Sequence, residues 1–263
     1  MDMELTYIYH SGFALSGDGF TVIMDYYRDS EDGQAQADLN RLMDGTFSNQ
    51  EAGMPEGTVH SELLRRPGKL YVLASHFHPD HFNKEVLQWR EQRPDIIYIF
   101  SKDILRHRRA QKEDAVWLKK GEEYKDETLS VRAFGSTDVG VSFLLQAGGK
   151  KIFHAGDLNN WHWMDESTEA EWKGVEKNFL HELDDLYAYT PEVDVAMFPV
   201  DPRLGKEYMR GAGQFVTKIK THIFVPMHFT PEYARANAFR DFAEAHGVRF
   251  VSLTHRGQKI EIE

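Results

Sequence analysis

The alternation of apolar and polar positions divides this chain into short strands and amphipathic helices. Residues 5–15 and 20–24 are rich in Tyr, Ile, Phe and Val, and Gly17-Asp18-Gly19 between them is a turn signal, so the chain is expected to open on a β-hairpin. Residues 26–67 are polar and Gly-containing, with one weakly helical stretch at 35–43, and read as an insertion able to fold over a site. From residue 69 the pattern becomes strand (69–75), helix (83–93), strand (96–100), helix (102–111) and strand (115–118). Strands follow at 129–134, 141–146 and 151–154, the last two joined through Gly148-Gly149. A charged amphipathic helix at 165–186 comes next, then strand 193–198, helix 206–220, strand 223–227, helix 234–246 and two short strands. Strands alternating with helices predict helices packed against a sheet, and the antiparallel middle predicts a mixed one. The expected architecture is α/β (α+β): a four-layer αββα sandwich of two mixed sheets with helices on the outer faces. No Pro-, Ser- or Gly-rich linker interrupts it, so residues 1–263 are expected to form one domain.

Composition narrows the chemistry. The 263 residues carry no cysteine, which removes disulfides, thiolate nucleophiles and Cys-ligated zinc and leaves histidine and carboxylate to hold any metal. The net charge of −11, from 31 Lys plus Arg against 42 Asp plus Glu, repels nucleic acid and anionic membranes. A bound cation would invert that field locally, so a small, even anionic, substrate is compatible with it. The basic run Arg106-His107-Arg108-Arg109 reads as a helix surface. No basic segment followed by an apolar stretch opens the sequence, and no window reaches about 18 apolar residues. A cytoplasmic protein is the expectation.

One run dominates the candidate chemistry. His76-Phe77-His78-Pro79-Asp80-His81 puts three imidazoles and a carboxylate just past the apolar stretch 70–74, a pattern expected of a strand buried on both faces. Pro79 turns the backbone so that the four groups cannot share one direction, but they can surround two adjacent ions. Neutral imidazole and carboxylate suit Zn, Mn, Fe or Ni, and two divalent ions lower the pKa of a shared water until hydroxide exists near neutral pH. A His-rich surface loop, or Asp80 as the cap of a following helix, is the competing interpretation.

The chain resembles the metallo-β-lactamase superfamily in this His-x-His-x-Asp-His run, in the hairpin ending at Asp25, in Ala155-Gly156-Asp157 and in Pro226-Met227-His228. In detail it is similar to the branch of Zn-dependent hydrolases that includes sugar-lactone hydrolases. The resemblance implies that His76 and His78 bind a first metal and Asp80 and His81 a second, with Asp157 bridging and His228 completing the second site. Independently, Asp157 and His228 fall just past strand ends, where sites collect in α/β sheets. The family's usual third histidine on the first metal is missing from Gly135-Ser136-Thr137-Asp138-Val139-Gly140. Ser136, Thr137 or Asp138 could take its place or bind substrate, water could replace it, or the first site binds weakly and the enzyme works with one tight metal; a carboxylate would favour a harder ion such as Mn or Fe over Zn.

His10, Asn159, Asn160, Trp161 and Arg203 are further candidates for lining a substrate pocket, Arg203 as a cation for an anionic group or oxyanion. His154 is left out, because an offset of three from Asp157 puts the two side chains on opposite faces of an extended segment. The leading function is hydrolysis of an ester, lactone, amide or phosphodiester of a small molecule by a metal-activated hydroxide, with Asp80 orienting the water or accepting a proton. One or two divalent ions are expected, Zn first. A degenerate member that only binds metal or a metabolite is the alternative. A flavin-assisted di-iron reductase ranks lower, because Phe77 stands where such proteins usually carry a carboxylate.

Overall fold

A computed structural model describes residues 3–29 and 57–263. Among the described residues, fourteen strands form two seven-stranded sheets. The first runs in the order β14 (Lys259–Ile262), β1 (Met3–Tyr9), β2 (Gly12–Gly17), β3 (Phe20–Met24), β4 (Lys69–Ala74), β5 (Ile97–Ser101), β6 (Val116–Leu118). The second runs β13 (Arg249–Phe250), β12 (Lys220–Met227), β11 (Glu192–Pro199), β10 (Lys150–His154), β9 (Ser142–Ala147), β8 (Ser130–Phe134), β7 (Glu123–Lys125). Each sheet is half antiparallel and half parallel, with the change of sense at β3/β4 in the first and β10/β11 in the second. The helices are α1 (Thr58–Ser61), α2 (Lys102–Arg106), α3 (Glu169–Tyr189), α4 (Arg210–Lys218), α5 (Tyr233–Asn237) and α6 (Arg240–Ala245).

The period-2 pattern sorts side chains between layers. On β4, Tyr71 and Leu73 join the core between the sheets while Leu70, Val72 and Ala74 join a second core on the outer face of the first sheet. On β10, Phe153 points outward to the ring of Phe215 on α4 at 5.5 Å, whereas His154 reaches inward to the carbonyl of Ser11 at 2.8 Å. Phe198 of β11 meets Phe179 of α3 and Phe215 of α4, so both helices are seated on the outer face of the second sheet. The mixed αββα sandwich expected from the sequence is the one observed.

Several local expectations need correction. Residues 5–15 do not form one strand: the chain reverses at His10-Ser11, where His10 adopts φ 59°. The segment 83–93 forms 3₁₀ turns at Lys84–Glu91 instead of an α-helix; its two buried residues, Val86 and Trp89, are three apart, which suits three residues per turn. The expected helix 206–220 is a 3₁₀ turn at Pro202–Glu207 broken by Gly205 (φ 81°), then α4, while β12 already starts at Lys220. Residues 234–246 split into α5 and α6, and β7 is an extra edge strand. The segment 165–186 becomes helical only at Glu169, because Thr168 and Glu171 cap each other's backbone in a capping box. Of the expected insertion 26–67, residues 30–56 with the weakly helical stretch lie outside the described residues. Its described ends put Tyr26, Tyr27, Val59, Leu63 and Leu64 into the outer core of the first sheet.

Candidate metal centre

The ends of β1, β3, β4, β8, β10, β11 and β12 meet at one end of the sandwich, where the carboxyl ends of the parallel strands deliver their polar residues. Past β4, Ser75 and His76 are fully buried. Ser75 donates its backbone N–H and its hydroxyl to the two oxygens of Asp25, at 2.7 and 2.6 Å. With that proton committed, the Ser75 hydroxyl can only accept from His76 Nδ1 at 2.9 Å, so His76 Nε2 turns its lone pair to the site. Asp25 also accepts from His81 Nδ1 at 2.7 Å, and Asp201 accepts from His228 Nδ1 at 3.0 Å. Three imidazoles are thereby fixed with Nε2 facing inward, the orientation that a carboxylate behind a ligating histidine imposes.

The inward atoms form two groups. His76, His78, Asp138 and Asp157 offer ligand atoms within 4.8 Å of one another, and so do His10, Asp80, His81 and His228. Asp157 stands between them: its Oδ2 is 3.3 Å from His76 Nε2, while its Oδ1 is 3.1 Å from His81 Nε2 and 3.4 Å from His228 Nε2. Asp138 Oδ2 lies 3.5 Å from His78 Nδ1. Asp80 Oδ2 lies 3.4 Å from His10 Nε2 and 3.9 Å from His228 Nε2.

The donor set fits divalent cations on an observation independent of the motif. His10 Nε2, His81 Nε2 and Asp157 Oδ1 are buried and make no hydrogen bond among the described residues. Such groups, spread over the two donor sets, would each cost roughly 1–3 kcal/mol if left unpaired. Cations held by the two groups would satisfy them. The electrostatics agree. Burial alone would raise the Asp157 carboxyl, but the imidazoles of His81, His228 and His76 outweigh it and hold it well below the ordinary range. Burial also works to lower His81 and His228, but the facing carboxylates, Asp157 foremost, raise both.

Backbone strain collects here. Of the five non-glycine residues with positive φ among those described, three belong to the centre: His10 (59°), Asp25 (46°) and His228 (61°). Two glycines allow the loops to close in: a Cβ on Gly140 would lie 2.1 Å from the Ser75 carbonyl oxygen, and one on Gly156 2.8 Å from Ser75 Cβ.

A cavity of about 320 Å³ opens beside the centre, lined by His78, Asp80, Thr137, Asp138, Asp157, Trp161, Trp163, Arg203 and His228. Trp161 lines it and donates its indole N–H to the Asp157 carbonyl at 2.8 Å. Arg203 lines it too, although its Nε is held by both oxygens of Asp201 at 3.0 and 2.9 Å. Other candidates move away from substrate contact. Asn159 and Asn160 are fully buried and do not line the cavity; Asn160 is held by Glu176 and Gln214, at 3.1 and 2.9 Å. The Thr137 hydroxyl is taken up by the backbone of Asn159, at 2.6 Å to its carbonyl, and Ser136 accepts the Asp138 N–H at 3.4 Å, so of the three residues only Asp138 joins the histidines. His10 is brought inside the donor set, not to the cavity wall. His154, set aside from sequence, bonds backbone through both ring nitrogens. Phe77 stacks on His107 at 3.7 Å. The sequence reading missed the supporting roles of Asp25, Ser75 and Asp201; the only signal was their place at strand ends.

The model of the Beta-lactamase superfamily domain matches residues 4–176, more than half of the chain and across the metal motif. The chain belongs to the beta-lactamase superfamily. Its fold is that of the metallo-β-lactamases, as solved structures bear out. Igni18, a metallo hydrolase from the archaeon Ignicoccus hospitalis, aligns at a TM-score of 0.64 and 18% identity over 100% of this chain and 99% of its own. CmlA, a diiron beta-hydroxylase from Streptomyces venezuelae, aligns at 0.62 and 14% identity over 99% of this chain, which spans 54% of CmlA. An isothiocyanate hydrolase from Delia radicum gut bacteria aligns at 0.53 and 15% identity over 98% of both chains. A search of curated proteins finds no significant match. No helix among the described residues is long and apolar enough to cross a membrane.

Proposed function

We propose that this superfamily member is a metal-dependent hydrolase of small molecules, working on an ester, lactone, amide or phosphodiester bond. The observation that carries the proposal is Asp157, which presents one oxygen to each of two groups of imidazole and carboxylate donors beside an open cavity. His76, His78 and Asp138 would hold one ion, Asp80, His81 and His228 the other, with Asp157 between them. Bound there, divalent ions supply Lewis acidity and lower the pKa of water so that it can attack the scissile bond. Asp80, 29% exposed at its side chain and facing the cavity, is placed to orient the attacking water or take up its proton. Trp161 and Trp163 supply apolar walls for the substrate body. Arg203, still 64% exposed while clamped to Asp201, offers a positive rim to an anionic group.

The full chain, stripped and reloaded in turn with Zn, Mn and Fe, is expected to hydrolyse members of a generic ester, lactone and phosphodiester panel. Asp157→Asn should lower metal content and reduce turnover at least a hundredfold. Turnover equal to the parent in that variant would falsify the assignment. A metal-binding but non-catalytic member would instead hold ions and turn over nothing in the panel. A second reading, dinuclear iron redox chemistry, is favoured by Asp138, whose carboxylate makes the first group oxygen-rich. Iron retained through purification, with a visible di-iron band and no hydrolysis, would select it.

A further inference from the structure

The two donor groups are unequal, and the inequality comes from His10. In the first group two imidazoles meet two carboxylates, and its outer members are open to solvent, with side chains 36% exposed at His78 and 45% at Asp138. In the second, three imidazoles meet Asp80 and the other oxygen of Asp157 and are more enclosed, with side-chain exposure of 15% for His10, 0% for His81 and 5% for His228 against 29% for Asp80. Resting on the metallo-hydrolase reading of this site, we propose that His10 is a ligand of the second cation, and that this nitrogen-rich, buried position fills first and more tightly than the one completed by Asp138.

The geometry around His10 supports direct ligation. Its Nε2 is buried without a hydrogen bond and its ring centroid is 4.3 Å from that of His228 and 6.0 Å from that of His81. Its backbone is held from both sides: His10 N donates to the Tyr7 hydroxyl at 3.0 Å, and the His10 carbonyl accepts from His228 N at 3.2 Å. A left-handed backbone at a non-glycine residue, clamped to another ligand candidate in the same conformation, is strain kept at a functional position. Borderline and softer divalent ions prefer the nitrogen-rich donor set, and a buried, prepositioned site loses less order on binding. The exposed, oxygen-rich set is left for the later ion.

Because φ at position 10 is 59°, His10→Asn and His10→Gly leave the backbone unstrained while removing the imidazole. The experiment titrates metal-free full-length protein with Co²⁺, followed by visible absorption and calorimetry. The parent is expected to bind in two phases. Both His10 variants should weaken the tighter phase at least tenfold and leave the weaker one, whereas Asp138→Asn should weaken only the second. X-ray absorption on the parent with one equivalent of Zn²⁺ should give three imidazole shells, which tests the ligation without any variant. Unchanged binding in both His10 variants, or two imidazoles in the one-metal spectrum, overturns the inference and leaves the metallo-hydrolase reading standing. Absence of any Co²⁺ binding by the parent would sink both.

Discussion

At the scale of single residues, the centre depends on atoms that never touch a metal. Asp25 accepts from Ser75 and His81, and through Ser75 it fixes His76, so one buried carboxylate orients an imidazole from each donor group. The approach of the loop after β8 is as tightly specified. Gly140, at φ 73°, brings its Cα against the Ser75 carbonyl and His76, where a methyl would stand 2.1 and 2.5 Å away. Gly149, at φ 79°, has nothing within 4 Å of such a methyl. Alanine at 149 should therefore cost only the left-handed strain, about 1 kcal/mol. Gly140→Ala should cost at least about 1–2 kcal/mol more, because backbone must move, and should also weaken metal binding by displacing His76. Urea midpoints at constant slope, together with metal affinity, check this; equal losses for the two variants would contradict the packing argument.

At the scale of elements, the 3₁₀ segment Lys84–Glu91 and α1 are joined by His60, whose ring bridges Asp29 and Glu85 at 2.6 Å on each side. The hydrogen bonds to Asp29 and Glu85 outweigh burial and lift the imidazole from 6.5 to about 9. A raised folded-state value means that the clasp stabilises fully below pH 6.5 and loses its contribution as pH climbs through about 9. His60→Gln is expected to lower the melting temperature by a few degrees at pH 6, with the gap to the parent closing between pH 7 and pH 10. A gap independent of pH would show that His60 acts through packing against Tyr26 and Trp89 alone.

At the scale of the whole molecule, two sheets converge on one charged cluster, and the cluster in turn ties them together. Asp25 and His81 come from the first sheet's side, Asp157 and His228 from the second. A ligand that binds only the folded state stabilises it by about 2.7 kcal/mol at a hundredfold excess over Kd. Chelation is therefore expected to lower the melting temperature by roughly 5–10 °C, with Zn²⁺ restoring it. A melting temperature indifferent to chelator and metal would speak against a cation joining the sheets.

Much of this was legible in the residues themselves. The apolar run 70–74, the cluster at 76–81 and the positions of Asp157 and His228 past strand ends are local patterns, and local patterns survive in any fold that keeps the strands. His154, left outside the site from strand alternation, spends its ring nitrogens on the backbone of Ser11 and Gly156. The helix boundaries were less legible, because a capping box at Thr168 and a turn at Gly205 compete with periodicity. Convergence of these segments was implied only by the family resemblance, and for His10 and Asp25 by nothing in the local pattern. His10 looks like a strand residue until the chain reverses beneath it, and Asp138 is one of three polar residues until tertiary packing ties up the Thr137 hydroxyl and leaves its own carboxylate beside His78. Asp25 and Asp201 gain their meaning only because an imidazole distant in sequence arrives at each. Alternation and motif spacing determined the sandwich and the presence of the metal motif, because they depend on neighbours along the chain. The make-up of each donor group was decided by the folded backbone, because it depends on which strand ends meet.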